Sequence, residues 1–154
     1  MTCAFEPTNR RLVASGGLDN TCSIYSIGSA SEVVRPSKEL TGHEGYLSCC
    51  RFTDEEHVIT SSGDSTCAFW DVPTCTMVSR FTEHGGDVMG VSFPTSNSNL
   101  FASASCDTTC KIWDIRSGVD SVTTFRGHES DVNSVDFLSN GCTISSGWLL
   151  YGFD

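Results

Sequence analysis

No apolar run in this chain approaches the ~18 residues that a membrane-spanning helix needs. The start, MTCAFEPTNRRLVASGG, has no basic segment followed by an apolar one, so neither membrane insertion nor a secretory leader is expected. Positive charge is scarce: nine Lys and Arg stand against nineteen Asp and Glu, a formal charge of -10 with no basic block. That balance argues against a nucleic-acid partner. No window sustains a helical period, and no Gly-x-x-x-x-Gly-Lys phosphate loop occurs. Nine cysteines are present without one Cys-x-x-Cys pair. The single Cys-x-x-x-Cys, Cys106 to Cys110, has no second pair to complete four ligands, so no metal site is expected. An odd cysteine total without a leader fits free thiols in a reducing compartment. At 154 residues the chain is long enough for one domain with a substantial core, not for two.

What the chain does have is repetition. SGGLDNTCSIYSI at 15–27, SSGDSTCAFWDV at 61–72 and SASCDTTCKIWDI at 103–115 are copies of one another. Registered on their acids, Asp19, Asp64 and Asp107 are spaced by 45 and 43 residues, a period of propeller blades rather than helical solenoids. A histidine turn recurs on the same period: TGHEGY at 41–46, TEHGGDV at 82–88 and RGHESDV at 126–132. Between these landmarks lie short runs rich in β-branched and aromatic residues, punctuated by Gly, Asn, Asp and Ser. They predict strands at about 46–52, 57–63, 66–72 and 76–82, then at 88–93, 100–105, 109–115 and 121–127. MTCAF, RLVASG, TCSIYSI and, after a longer connection through GSASEVVRPS, a strand near KEL make the first set. VNSVDFL and CTISSG begin a last one. Cys22, Cys67 and Cys110 each fall three residues after the repeat's Asp, where a small buried side chain suits a strand, and neighbours Cys49 and Cys50 point to opposite faces.

Antiparallel strands alternate in direction, so the histidine loop and the Asp turn lie at the same end of each blade. A buried Asp there can accept from the His ring, the ring can reach a hydroxyl four residues before the Asp, and the Trp N–H needs an acceptor. The groups are His43, Thr60, Asp64 and Trp70 in one blade, and His84, Ser103, Asp107 and Trp113 in the next. A Ser or Thr beside a His/Asp pair also has the ingredients of a catalytic triad. A triad is needed once, in a pocket, whereas these groups recur in every blade, which marks a structural network. The same recurrence separates His43, His84 and His128 by a blade each, too far for a shared metal ion.

A His in a Gly-His turn, an Asp turn and a closing Trp-Asp on this period resemble the WD40 repeat, whose four-stranded blades form β-propellers. The strings GGLDNTCSIY, GHEGYLSCCRF, SSGDSTCAFWD, GGDVMGVSF and GHESDVNSV are similar, from Met1 to about Gly147, to the beta subunit of heterotrimeric G proteins. The resemblance implies an all-β WD40 propeller fragment over 1–147, about three four-stranded blades plus part of a fourth. Its repeat landmarks lie at 15–27, 43–71, 84–114 and 128–147. Against that family the chain is expected to start inside a first strand, without the N-terminal helix that coils with the gamma subunit. Residues 148–154, WLLYGFD, stand where a turn acid and a Trp- or Phe-Asp strand belong, and resemble a stretch of a later blade. A truncated or mis-joined chain is the expectation, with plain divergence of the end as the alternative.

By strand alternation Leu18, Asn20, Tyr46, Asp87, Met89, Cys106 and Asp131 share one rim of the propeller, outside the network. Apolar anchors among carboxylates suit a protein contact. The resemblance implies that these residues face the switch regions of a GDP-bound alpha subunit, and that effectors use the same surface. It implies a non-enzymatic transducer of transmembrane-receptor signals, without cofactor, cytoplasmic and held at the inner face of the plasma membrane through gamma and alpha subunits. A generic WD40 adaptor of another assembly is the competing reading; an enzyme has no supporting constellation.

Overall fold

The structure, a computed structural model, describes residues 1–28, 35–94, 99–138 and 144–147. Part of the GSASEVVRPS connection, the CT of the CTISSG strand and the divergent end at 148–154 fall outside the described residues. Every regular element among the described residues is a strand. The first sheet runs β1 (Thr2–Phe5), β2 (Leu12–Gly16), β3 (Thr21–Ser26) and β4 (Lys38–Thr41). The second holds β5 (Leu47–Phe52), β6 (His57–Ser62), β7 (Cys67–Asp71) and β8 (Thr76–Phe81). The third holds β9 (Val88–Ser92), β10 (Leu100–Ser105), β11 (Thr109–Asp114) and β12 (Ser121–Arg126), and β13 (Ser134–Phe137) pairs with β14 (Ile144–Gly147). Each of the first three sheets is an antiparallel meander in chain order, the four-stranded blade that the repeat predicts.

Side-chain alternation sends successive residues of the second blade to two different cores. Cys50, Val58, Ala68 and Trp70 face the first blade, where they meet Ala14, Cys22, Ile24 and Leu40. Cys49, Ile59, Cys67 and Phe81 face the third, where they meet Val88, Val91, Phe101 and Trp113. A third core joins Ala102, Ala104 and Cys110 to Val132 and Val135. A strand covered on both faces reads as a continuous apolar run, which is why β5 to β7 and β9 to β11 show little polar alternation. Cys49 and Cys50 do point to opposite faces, one into each core, and the eight cysteines among the described residues are free thiols.

One position per blade joins each blade to the next. In register with the repeat cysteines Cys22, Cys67 and Cys110 stand Leu40, Phe81 and Phe125 on the outer strands. Leu40 shares its core with Trp70 of the following blade and is 1% exposed. Phe81 meets Phe101 edge-on at 5.0 Å and lies 5.3 Å from Trp113, and it too is 1% exposed. Phe125, the third equivalent, is 46% exposed and no described Trp covers it.

The outer strands are blade edges, and β8 and β12 both carry a bulge where they pass the Trp. The unpaired residues are Val78 and Val122, both exposed. Bulges twist an edge away from further strand pairing, which keeps these edges from adding another chain.

The equivalence of Phe81 and Phe125 generates a contrast. Phe81→Ala is expected to lower the unfolding free energy by about 3–5 kcal/mol, as for other buried Phe truncations. Phe125→Ala, its half-exposed counterpart, is expected to cost less than about half of that. Urea unfolding of the two variants measures both, and equal losses would remove the account of blade packing.

Candidate functional site

Each blade's end is organised by a tight turn. Asp19-Asn20-Thr21, Asp64-Ser65-Thr66 and Asp107-Thr108-Thr109 place their middle residue at φ 61, 68 and 69, in the left-handed region. Asn tolerates that conformation best, whereas β-branched Thr108 is strained there. The turn is held because the Asp side chain is fully engaged. Asp64 Oδ2 accepts from His43 Nδ1 at 2.7 Å and Glu44 N at 2.9 Å; Oδ1 accepts from Thr66 N at 3.0 Å and Thr66 Oγ1 at 2.7 Å. Asp107 repeats this with His84 Nδ1 at 2.7 Å, Gly85 N at 2.9 Å, Thr109 N at 2.9 Å and Thr109 Oγ1 at 2.6 Å.

The chain continues inward. His43 Nε2 lies 2.7 Å from Thr60 Oγ1, which accepts from Trp70 Nε1 at 2.8 Å. His84 Nε2 lies 2.7 Å from Ser103 Oγ, which accepts from Trp113 Nε1 at 2.8 Å. A carboxylate only accepts, so Nδ1 carries the proton, and the hydroxyl, already accepting from the indole, donates to Nε2. Neutral imidazole satisfies every member. Burial pushes both imidazoles below the ordinary histidine value, although the adjacent carboxylate pulls the other way. Burial alone would raise both carboxyls; the threonine hydroxyl, the backbone N–H and the imidazole together outweigh it and hold Asp64 and Asp107 at about 2.

Two glycines allow the close approach. A Cβ on Gly45 would lie 2.6 Å from Asp64 N, and one on Gly86 would lie 3.0 Å from Asp107 N, so backbone packs on backbone between the histidine loop and the Asp turn. Ser62 and Ser105 lock the same junction: each donates to the glycine carbonyl at 2.9 Å and accepts from the Asp N–H at 3.1 Å. The sequence reading passed over these serines and over Thr66 and Thr109. Their signal is the pattern Ser-x-Asp-x-Thr, present in both complete copies and broken in the first, where Gly17 takes the serine's place.

The end copies are partial. Asp19 receives Thr21 N at 3.4 Å, and among the described residues no histidine is bonded to it. His128 Nε2 lies 2.7 Å from Ser146 Oγ, the equivalent of Thr60 and Ser103, while the position four beyond Ser146 is Leu150 rather than Asp.

The rim residues sit at the same strand ends. Leu18 projects from the β2–β3 turn, 84% exposed, and Asn20 follows in the same turn. Tyr46, Asp87 and Asp131 lie just before β5, β9 and β13, Met89 lies within β9, and Cys106 in the β10–β11 turn. The structure joins three of the seven in one bridge between blades and sets two more near each other at the next junction. Tyr46 donates its hydroxyl to Asp87 Oδ2 at 2.8 Å and lies 3.5 Å from Met89 Sδ. Cys106 lies near Asp131, whose carboxylate acts on its thiol. Burial, then the acids they face, push the Tyr46 phenol up to about 12 and the Cys106 thiol up to about 11. Leu18 and Asn20 join neither group. Among the described residues no group of three or more His, Cys, Asp and Glu side chains is placed to hold a metal ion.

Residues 1–149 match the family model described as G protein beta WD-40 repeat protein. The chain belongs to that family. It is 48% identical over 157 aligned residues to a guanine nucleotide-binding protein subunit beta of Arabidopsis thaliana, covering 96% of this chain and 41% of that protein. The subunits beta of Zea mays and of Oryza sativa subsp. japonica are 46% and 45% identical over the same shares. The chain thus spans about two fifths of the length of the curated relatives it matches.

For this WD-40 chain, Asp64→Ala and Asp107→Ala are each expected to cost about 1–3 kcal/mol, because a buried imidazole and two N–H donors lose their acceptor. Asp19→Ala, with no histidine among the described residues bonded to it, is expected to cost less. The pH dependence has a fixed sign. The folded histidines hold protons less well than the unfolded ones, so stability is full above the ordinary value of 6.5 and falls as pH drops below it. The slope is at most about 1.4 kcal/mol per pH unit for each histidine. A second loss comes between pH 3.8 and about 2, where only the unfolded state protonates Asp64 and Asp107. Denaturant titrations from pH 8 to pH 5 test the first window; a flat profile there would contradict the neutral-histidine network.

Proposed function

We propose that this chain is part of a non-enzymatic signalling scaffold, a G-protein beta subunit whose blade ends bind the GDP-bound alpha subunit and, in turn, effectors. The reading rests on one observation: Tyr46, Asp87 and Met89 form a bonded group at the network's end of the blades, but belong to no part of the His–Asp–hydroxyl–Trp chains. Side chains so placed can serve a partner without holding the blade together. An aromatic anchor, a thioether and carboxylates make an apolar contact with an acidic rim. Leu18, exposed on the adjacent blade, extends the apolar part.

In this reading the surface holds alpha inactive and is freed for effectors when GTP reorders the alpha switches. Association with a gamma subunit, and through gamma and alpha with the cytoplasmic face of the plasma membrane, belongs to the same proposal. The family match favours this reading over the generic adaptor, since it covers the residues between the WD40 landmarks as well as the landmarks themselves.

Titration of the chain with purified GDP-loaded alpha subunit tests the proposal. Tyr46→Ala and Met89→Ala are each expected to weaken binding by about 1 kcal/mol or more. Asp131→Ala is expected to reduce the salt dependence of the interaction. Glu55→Ala, at the opposite blade end where its carboxylate accepts from Asn9 at 2.9 Å, is expected to change nothing. Equal losses at both ends, or none at the rim, would overturn the assignment.

A further inference from the structure

The residue before the turn Asp differs in each copy: Leu18, Gly63 and Cys106. Gly63 is not among the residues with positive φ, so its backbone conformation does not call for glycine. Space does. A Cβ on Gly63 would lie 2.3 Å from Tyr46 Cε1, 2.6 Å from Cδ1 and 3.0 Å from Cζ, all within the aromatic ring. A ring edge cannot give way as the end of a flexible side chain does. The Tyr46 carbonyl, meanwhile, accepts from Gly63 N at 2.9 Å, so the backbone carrying the ring is pinned to the same turn. Lying against Gly63, the ring directs its hydroxyl across the blade junction to Asp87 and Met89.

The next junction is built differently. Asp131 occupies the place in its histidine loop that Asp87 occupies in the preceding one, three residues after the His. Near it lies Cys106, the residue equivalent to Gly63. At both junctions the upstream blade thus sets a side chain near the acid at this position. In the second blade that side chain comes from the histidine loop and needs the turn position empty; in the third the turn position carries it.

From this we infer that Gly63 is a positioning residue for the proposed partner surface. By lacking a side chain it seats the Tyr46 ring so that the aromatic anchor of the second blade and the Asp87 carboxylate of the third form one preformed element. Partner binding then costs no reorganisation of the anchor. The inference rests on the proposed function for its consequence, and on the chain alone for its geometry.

The test is made on the full chain carrying 13Cζ-labelled tyrosine, with the Tyr46 resonance assigned by its loss in Tyr46→Phe. Gly63→Ala is expected to move that resonance toward the position of a solvent-exposed phenol. The Trp70 indole proton, bonded to Thr60, should stay where it is, which shows the blade intact. Asp87→Ala leaves Gly63 and the ring seat untouched, and is expected to move the same resonance; it answers the question if Gly63→Ala disturbs the blade. An unmoved Tyr46 signal in Gly63→Ala with the indole proton unchanged, or in Asp87→Ala, overturns the inference. Titration with GDP-loaded alpha subunit then separates the two claims. A loss in Gly63→Ala comparable to that of Tyr46→Ala, about fivefold or more, supports both. A moved resonance with unchanged affinity upholds the seat of Tyr46 and refutes its role in binding.

Discussion

Two imidazole–carboxylate bonds, His43 to Asp64 and His84 to Asp107, each 2.7 Å long, hold the ends of the central blades together. Each ties a loop that enters a blade to the turn between its second and third strands. Each also extends through Thr60 or Ser103 to the indole of Trp70 or Trp113, the largest buried side chains of the two cores. The carboxylate alone satisfies an imidazole, a loop N–H, a turn N–H and a hydroxyl. Removing it leaves the buried imidazole without its acceptor, where the loss is felt most.

The position of the Trp has consequences beyond its own blade. Trp113 supplies the surface that Phe81 of the preceding blade is buried against, and Trp70 shares a core with Leu40. Polar order at the blade ends and apolar packing between blades are thus one structure, since the hydrogen-bonded indole is also the wall of the interface. The first blade has Tyr25 in place of the Trp and an Asp to which no described histidine is bonded. Its contribution comes instead through Ala14, Cys22, Ile24 and Leu40, which meet the second blade.

Much of this was legible in residue spacing. The period of the Asp turns and the alternating strand direction were enough to pair His43 with Asp64 and His84 with Asp107, and to name both hydroxyls and both indoles. Burial of the repeat cysteines followed from their place in the strand. Groups that act through the backbone were harder to see: Ser62 and Ser105 matter because they brace a glycine carbonyl against the Asp N–H, a relation no single repeat announces. Contacts between blades were illegible, because they depend on how neighbouring sheets sit. Tyr46 and Asp87 were read as separate rim residues; their bond crosses 41 positions and a blade junction. Glu83 takes the place held by Gly42 and Gly127 before the histidine, and its carboxylate accepts from Ser121 N at 2.9 Å and Lys111 Nζ at 3.1 Å, a local replacement that the Gly-His pattern conceals.

The central claim is a protonation state as well as a geometry: both buried histidines are neutral, with the proton on Nδ1 facing the carboxylate. Nitrogen-15 NMR of histidine-labelled chain at pH 7 measures this most directly, because protonated and bare ring nitrogens resonate far apart. The account predicts that His43 and His84 each show a protonated Nδ1 and an unprotonated Nε2, and keep that pattern on acidification below the ordinary histidine value of 6.5. Imidazolium spectra at pH 7, or protons on Nε2, would contradict it.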